Sequence, residues 1–318
     1  MIHEVGAAFR RTPAKAKRRG MDSPLEMTIA PVTHDLGAFK VNRTLPSKQR
    51  TMVGPFIFVD EFGPARLPAG QGMDVRPHPH INLATVTYLF EGAIQHRDSI
   101  GSNAVIEPGA INLMTAGSGI VHSERSPQAL RPEGPSLYGM QTWIALPDGH
   151  EEVEPAFDHV AGTELPLIED GAARARVLMG SLWGATAATR CDSPTIYADV
   201  ELGSSGSIPI ETGADERAVM LVGGEIELDG QALEPFALYV LRPGHEARLS
   251  SRGGGRAMLM GGQAFTTPRH VFWNFVSSSR DRINQAKEDW KAQRFPLIPG
   301  DDKEFIPIPD VPKTVSYP

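Results

Sequence analysis

The chain has 318 residues, a net charge of −7 at neutral pH and one cysteine, Cys191. A chain of this length can bury enough apolar surface to fold without disulfides, and two domains are expected. A single cysteine excludes an intrachain disulfide, so the composition fits a reducing compartment and predicts a cytoplasmic protein. The longest apolar runs have about five residues, far short of the roughly 18–20 that a transmembrane helix needs.

The charge is unevenly distributed along the chain. Residues 1–20 carry six Lys or Arg against one acidic residue, Glu4. The rest of the chain therefore has a larger net negative charge than the chain as a whole. An acidic body argues against direct nucleic-acid binding, which requires a basic face. The basic N-terminal segment lacks the apolar stretch of a secretory signal. Glu4 and the short length of the segment argue against an organellar transit peptide. We therefore predict a basic disordered tail over residues 1–25.

Short β-prone runs follow one another from about Leu25 to Gly262, separated by Gly, Pro, Asn and Asp. This pattern is typical of sandwiches and barrels. No helical periodicity of ten residues interrupts the series, so an all-β architecture is predicted. Clear examples are residues 54–62, 83–90, 137–146, 195–202 and 257–260.

The one clear helical pattern comes late in the chain. Ser278 and Asp281 have the spacing of a capping box, and Ile283, Ala286 and Trp290 then fall on one face. We predict a helix from about residue 279 to 294 that packs on the β-structure. The following segment is rich in proline and is expected to be extended.

A weak internal repeat relates the two halves of the chain. Residues 92–95 followed by 108–113 are similar to residues 224–227 followed by 235–240, and both read as turn, strand, turn, strand. Repetition of one barrel unit explains this economically. Chance similarity between two β-meanders is the alternative.

Two pairs of residues have the i, i+2 spacing that places side chains on the same face of a strand. These are His78 with His80, and His122 with Glu124. Three imidazoles and one carboxylate form a ligand set for Fe(II), Mn(II), Ni(II), Cu(II) or Zn(II). An octahedral ion would keep two positions open for O2 or a chelating substrate, unlike a closed structural zinc site. The alternative for each histidine is a buried, hydrogen-bonded imidazole without metal, and two same-face pairs favour the metal.

Further polar residues were weighed for a role at the same site. His96 and Asp98 also have i, i+2 spacing and could line the pocket or hydrogen-bond to the ligands, with a plain surface pair as the alternative. Asp60 and Glu61 are interpreted as the end of a strand that packs under the barrel, and no chemical role is assigned to them. His245 has no partner two residues away.

Several motifs resemble the pirin family of the cupin superfamily. Gly72-x5-His78-x-His80 is similar to the opening of the first cupin motif. The pirin-like segments are Arg76-Pro-His-Pro-His80, Thr85-Val-Thr-Tyr88, Glu91-Gly92, His96-x-Asp98-Ser99-x-Gly101 and Thr115-Ala-Gly-Ser-Gly-Ile-Val-His-Ser-Glu124. The match is strong over residues 54–127. The resemblance implies a bicupin, a double β-barrel of the jelly-roll type with a C-terminal helix, holding one iron ion on His78, His80, His122 and Glu124.

The sequence departs from the family pattern directly after the His-Pro-His run. Pirins commonly continue with Arg-Gly-Phe-Glu, whereas this chain has Ile81-Asn-Leu-Ala84. The acid of the general cupin motif is therefore absent here. Because the pirin-type carboxylate corresponds to Glu124, the metal site is expected to survive.

The resemblance and the repeat together predict the domain organisation. After the tail, residues 26–150 form a metal-binding cupin barrel, residues 151–265 a metal-free cupin barrel, and residues 266–318 the helix and an extended tail. The second barrel is expected to be empty because Ile210, Thr212, Leu249 and Ser251 align with the four ligand positions of the first.

The resemblance implies an enzyme or a sensor. The first is a metal-dependent dioxygenase that cleaves a flavonol such as quercetin with O2, with Glu124 also serving as the catalytic base. The second is a redox-sensing module whose iron oxidation state changes its affinity for a protein partner in transcription. A third is a bicupin acting on another oxygenated metabolite. The sequence does not separate them, because pocket shape decides the substrate.

Overall fold

The computed structural model describes residues 23–35, 39–309 and 314–315, and nearly all of its regular structure is β-strand. The first twelve strands are β1 (Leu25–Ile29), β2 (Val32–Asp35), β3 (Lys40–Leu45), β4 (Phe56–Arg66), β5 (Asp74–His80), β6 (Leu83–Gly92), β7 (Ile94–Asp98), β8 (Asn103–Ile106), β9 (Ile111–Thr115), β10 (Ile120–Arg125), β11 (Ser136–Ala145) and β12 (Ala156–Val160). A short 3-10 helix, Gln128–Glu133, precedes β11.

The later elements include ten more strands before the C-terminal region. These are β13 (Leu167–Asp170), β14 (Ala173–Met179), β15 (Ser181–Leu182), β16 (Ala185–Thr186), β17 (Thr195–Leu202), β18 (Ser207–Ile210), β19 (Glu216–Leu228), β20 (Gln231–Ala232), β21 (Leu238–Leu241) and β22 (Ala247–Gly262). The C-terminal region contains β23 (His270–Phe272), β24 (Phe275–Ser277), helix α1 (Arg280–Lys291) and β25 (Thr314–Val315). The all-β architecture with one C-terminal helix is as predicted.

The chain divides into two compact units that are discontinuous in sequence. Among the described residues, the larger unit comprises 32–163 with the chain from 265 onward, and the smaller unit comprises 23–31 with 164–264. This division differs from the consecutive segments expected above. Strand pairing explains the difference, because β1 pairs with β21 and β12 pairs with β9. The predicted basic tail lies almost entirely outside the described residues.

Antiparallel sheets build the larger unit. A seven-stranded sheet has the order β12-β9-β6-β11-β4-β3-β2, a four-stranded sheet has the order β5-β10-β7-β8, and β24-β23-β25 form a third. Leu83 of β6 and Trp143 of β11 pack with Val271 and Val276 of the C-terminal strands in one buried cluster. The C-terminal region is therefore part of the core of this unit.

The smaller unit is built on a nine-stranded sheet whose main path runs β1-β21-β19-β22-β17-β14-β13. Ile210 and Leu249, two of the residues aligned with the ligand positions, are buried and apolar. Such side chains cannot coordinate a metal ion. The absence of a metal from this unit stays a prediction.

Helix α1 begins one residue later than the predicted capping box. Ser279 is the N-cap and its side chain accepts a hydrogen bond from Arg282 N, whereas the backbone N–H of Ser278 donates to Glu151 Oε1 at 2.7 Å. Ser278 therefore anchors the chain before the helix instead of capping it. The predicted face of Ile283, Ala286 and Trp290 is confirmed as buried.

Two features of the described residues bear on other predictions. No helix among them has the length and apolar character needed to cross a membrane. After α1, the chain has no helix or strand as far as residue 309. Ile306 N in this segment donates to Pro77 O at 2.8 Å, so the segment runs beside β5, the strand that carries His78 and His80.

Candidate metal centre

Strand β10 is the inner strand that brings the two predicted ligand pairs together. It pairs with β5 on one side, where His122 lies opposite His78, and with β7 on the other, where His122 lies opposite Asp98. Glu124 lies opposite His96 on β7. Because opposed residues in an antiparallel pair lie on the same face, the polar side chains of three strands converge.

His78, His80 and His122 form a buried group whose candidate ligand nitrogens all lie within 4.8 Å of one another. The three residues are 7%, 1% and 1% exposed, respectively. His80 Nε2 and His122 Nε2 face each other at 3.1 Å. Among the described residues, no other group of three or more His, Cys, Asp or Glu brings its ligand atoms this close together.

Hydrogen bonds to backbone carbonyls orient two of the three rings. His78 Nδ1 lies 2.8 Å from Arg76 O, and His80 Nδ1 lies 3.1 Å from Asn274 O. A carbonyl oxygen only accepts, so each Nδ1 carries the hydrogen and each Nε2 presents a lone pair. This is the arrangement that orients metal-bound histidines in proteins.

Burial keeps the imidazoles neutral, as metal ligation requires. Burial lowers the pKa of His78 to about 4. It also lowers the pKa values of His80 and His122 well below the ordinary value. Three neutral imidazoles whose ring nitrogens lie this close together suit a divalent cation, so the residues present fit a metal ion.

Glu124 lines the same cavity but is not part of the three-histidine group. Its Oε1 accepts a hydrogen bond from Gln141 Nε2 at 3.2 Å, and burial raises the pKa of its carboxyl. Its role as the fourth ligand stays a prediction.

His96 and Asp98 are 3% and 0% exposed, so they are not a surface pair. His96 Nε2 lies 2.9 Å from Asp98 Oδ2, and the His96 ring stacks on Phe157 with centroids 4.4 Å apart. Burial raises the pKa of Asp98, but hydrogen bonds from His96 and Ser102 outweigh it and lower that pKa overall. The two residues lie beside the histidine group, since His96 Nδ1 is 3.5 Å from His122 Nδ1.

A cavity of about 870 Å³ opens onto the metal centre. Phe58 and Trp143 stack on each other at its wall with centroids 4.0 Å apart and planes at 11°. The Trp143 ring also meets His80 edge-on at 5.1 Å. The cavity therefore offers flat aromatic surface next to the histidine nitrogens, and its polar lining residues are Arg43, Asp60, His78, His80, Glu124, Gln141 and Asn274.

Sequence reasoning missed the part played by Asp60, which lines this cavity. Arg43 donates to Asp60 through Nε at 2.8 Å and Nη2 at 2.7 Å, and its guanidinium lies 4.2 Å from the centroid of the Phe58 ring. Phe58, Asp60 and Phe62 alternate along β4 and all line the cavity. This i, i+2 spacing was the available signal.

The four residues that replace the common pirin sequence do not line the cavity. Ile81 packs in the cluster beneath α1. Asn82 adopts a left-handed conformation with φ 56°, and its amide donates to Glu151 O at 2.7 Å. Asn82 N also donates to Gly117 O, and a Cβ at Gly117 would collide with Val153 O. This segment therefore supports the loop before β10.

The comparisons with known proteins agree with this architecture. The family model described as pirin matches residues 38–144, and the model described as pirin C-terminal cupin domain matches residues 197–296. A pirin-like protein of Caulobacter vibrioides is 48% identical over 281 residues, covering 87% of this chain and 96% of the relative.

Two solved structures show the same fold. The crystal structure of quercetin 2,3-dioxygenase from Acinetobacter baumannii has a TM-score of 0.84 at 33% identity, covering 91% of this chain and 96% of that chain. A bacterial pirin from Escherichia coli, solved in complex with nickel(II), has a TM-score of 0.59 at 16% identity, covering 74% and 98%. With both family models matched and both units built from β-strands, the chain belongs to the pirin family and is an all-β bicupin with a C-terminal helix.

Proposed function

We propose that this chain is a mononuclear iron protein of the quercetin 2,3-dioxygenase type, which cleaves the ring of a flavonol-like substrate with O2. The observation that carries the proposal is a buried three-histidine group, of which His78 and His80 line a large cavity with an aromatic wall. Ligand pockets commonly have volumes of about 300–1,000 Å³. The cavity of about 870 Å³ falls within that range.

The lining suits a planar, hydroxylated aromatic molecule. The stacked pair of Phe58 and Trp143 offers apolar surface to the rings. Gln141 and the Arg43–Asp60 pair offer hydrogen-bonding groups to hydroxyl or carbonyl oxygens. The similarity to the quercetin 2,3-dioxygenase of Acinetobacter baumannii supports the same substrate class.

His78, His80 and His122 would hold the iron, with Glu124 as the fourth ligand. When bound, iron supplies the redox chemistry that O2 activation needs. Glu124 also acts as the general base that takes a proton from a flavonol hydroxyl. The raised pKa of its carboxyl, caused by burial, favours this role. The single cysteine supports the cytoplasm as the location.

Oxygen uptake by the iron-loaded protein with quercetin and analogues that each lack one hydroxyl group tests the proposal. We expect steady turnover above that of free iron and of His80→Ala protein. A panel without turnover would refute the flavonol oxygenase. Partner capture that depends on the iron oxidation state would instead support the redox-sensing module.

A further inference from the structure

A row of polar side chains crosses the seven-stranded sheet inside the cavity. Arg43 on β3 lies opposite Asp60 on β4, and Asp60 lies opposite Gln141 on β11. Opposed residues share a face of the sheet, and all three line the cavity. Gln141 donates to Glu124 at 3.2 Å, so the row runs from the strand that carries His122 to Arg43. Neighbouring strands lie about 4.8 Å apart, which places the backbones of Gln141 and Arg43 roughly 10 Å apart.

The aromatic wall of the cavity also leads from the histidine group to Arg43. The His80 ring lies 5.1 Å from the Trp143 ring, which stacks on Phe58 at 4.0 Å. The guanidinium carbon of Arg43 follows, 4.2 Å from the centroid of the Phe58 ring. Each step is a contact between side chains, so one continuous surface runs from a candidate metal ligand to a positively charged group.

Asp60 holds the guanidinium of Arg43 in a fixed orientation. Arg43 donates to Asp60 Oδ1 through Nε at 2.8 Å and to Asp60 Oδ2 through Nη2 at 2.7 Å. Such a bidentate pair fixes the edge of the planar group, and the Phe58 ring supports its face. Because Arg43 is already ordered, little conformational freedom is lost when it binds a further group.

Arg43 keeps hydrogen-bond donors that Asp60 does not use. A guanidinium carries five N–H donors. Among the described residues, Nη1 of Arg43 has no acceptor, and Arg43 is the one Lys or Arg that lines the cavity. The side chain of Arg43 is 36% exposed and that of Asp60 is 9% exposed. The cation is therefore the member of the pair that is available to a ligand.

We propose that Arg43, oriented by Asp60, selects planar aromatic substrates that carry an acceptor oxygen at the end remote from their chelating oxygens. This inference rests on the proposed function, in which a flavonol-like molecule chelates the metal ion. Such a molecule would lie along the wall of Trp143 and Phe58 and present its far end to Arg43. A hydroxyl, phenolate or carboxylate oxygen there accepts from Nη1, whereas an unsubstituted ring displaces water from these donors without replacing its hydrogen bonds.

Quercetin and unsubstituted flavonol are the probes of this selection. Both have the neighbouring hydroxyl and ketone oxygens that chelate a metal ion, but quercetin alone carries hydroxyl groups on its outer rings. Spectrophotometric titration of iron-loaded protein under argon measures the two affinities without turnover. In the wild type, quercetin should bind roughly 10- to 100-fold more tightly than flavonol, which is the gain expected from a hydrogen bond to a charged group.

Arg43→Met/Asp60→Leu removes the two charges together. Loss of Arg43 alone would leave the Asp60 carboxylate buried and unpaired, whereas apolar replacement of a whole buried pair is commonly tolerated. The ratio of the quercetin and flavonol affinities should fall close to unity in this variant. A merely structural defect would weaken the binding of both probes and leave their ratio unchanged.

The matched control is Arg256→Met/Asp199→Leu in the smaller unit. Arg256 Nε donates to Asp199 Oδ1 at 2.8 Å, and the two side chains are 28% and 4% exposed, so this pair has similar geometry and burial. It does not line the cavity, and the affinity ratio should stay at the wild-type value. Circular dichroism checks the folding of both double variants.

Arg43→Lys is the second test of the same site. Lysine keeps a positive charge beside Asp60 but lacks the planar fork of donors, so the affinity ratio should fall below that of the wild type. This variant decides the matter if Arg43→Met/Asp60→Leu does not fold, since a wild-type ratio in Arg43→Lys overturns the inference.

The outcomes separate this inference from the proposed function. Equal affinities of the wild type for quercetin and flavonol would overturn the selection by Arg43 and leave flavonol binding standing. A preference for quercetin that survives in folded Arg43→Met/Asp60→Leu protein would do the same. A wild type that binds neither probe contradicts the proposed function, and this inference with it.

Discussion

At the scale of single residues, Glu124 differs from the three histidines in what holds it. Gln141 donates to its carboxylate, and burial raises the pKa of that group. The histidines are instead held for ligation by contacts to their Nδ1 atoms. Glu124 is thus the residue at which a ligand role and a base role can be separated.

Glu124→Gln should retain iron with modestly lower affinity but lower flavonol turnover by the roughly 10²- to 10⁴-fold typical of a lost general base. The amide keeps one oxygen donor and removes the basicity. Oxygen uptake at matched iron occupancy measures the effect. Glu61→Gln is the control, because Glu61 is a buried carboxylate that does not line the cavity. Wild-type turnover by iron-loaded Glu124→Gln protein would remove the assigned base role.

The buried histidines should also make the metal-free protein sensitive to acid. His78 has a pKa of about 4 in the folded state, against roughly 6.5 when unfolded. Between these values the unfolded chain binds a proton that the folded chain does not. The stability from this residue is therefore complete above pH ~6.5 and is lost as the pH falls towards 4. Because burial lowers the pKa values of these histidines, metal loss on acidification should begin below the pH of ~6.5 that is expected for unperturbed imidazoles.

Comparison with His78→Gln isolates this contribution. Burial raises the pKa of Glu61 to about 7, which acts in the opposite direction in part of the same range. Both proteins contain Glu61, so its contribution cancels in the difference between the unfolding free energies of wild type and His78→Gln. This difference should fall by about 1.4 kcal/mol for each pH unit below pH ~6.5, as measured in denaturant titrations with chelator present. His245→Gln, a histidine substitution at an exposed site, is the control variant.

At the scale of elements, the strands that carry the predicted ligands were predictable and the roles of neighbouring residues were not. The i, i+2 spacing placed His78 with His80 correctly on one strand. The spacing of His96 and Asp98 was equally clear, but burial cannot be read from spacing alone. Asp60 was missed because Ile57 and Val59 are also buried, so β4 lacks the alternation of apolar and polar residues that marks a one-sided strand.

Helix α1 provides a prediction at this scale. Ser279→Ala removes the side chain that accepts from Arg282 N and should lower the unfolding free energy by about 1 kcal/mol. Ser278→Ala should also lower the unfolding free energy. It removes a hydroxyl that donates to Glu151, whereas Ser279→Ala removes the helix cap. Thermal unfolding measures both, and a double substitution with additive losses would show that they act separately. No loss for Ser279→Ala would contradict its assignment as the cap.

At the scale of the whole molecule, the two compact units are discontinuous along the chain, unlike the consecutive domains that were predicted. Residues 151–163 and 265–309 belong with the larger unit, because β12 pairs with β9 and the C-terminal strands join the core around Leu83 and Trp143. Such long-range pairing has no local sequence signal. The all-β class and the late helix were predictable because turn residues, strand lengths and helical periodicity are local.

The central claim is that the chain holds one metal ion on its three histidines. Elemental analysis of the iron-loaded protein after desalting tests it most directly, with circular dichroism as the check on folding. We predict one iron per chain in the wild type and in His245→Ala, and none in His78→Ala or His122→Ala proteins that keep their β-sheet spectrum. Two tightly held irons per chain, or one iron retained by a folded His78→Ala or His122→Ala protein, would contradict the account.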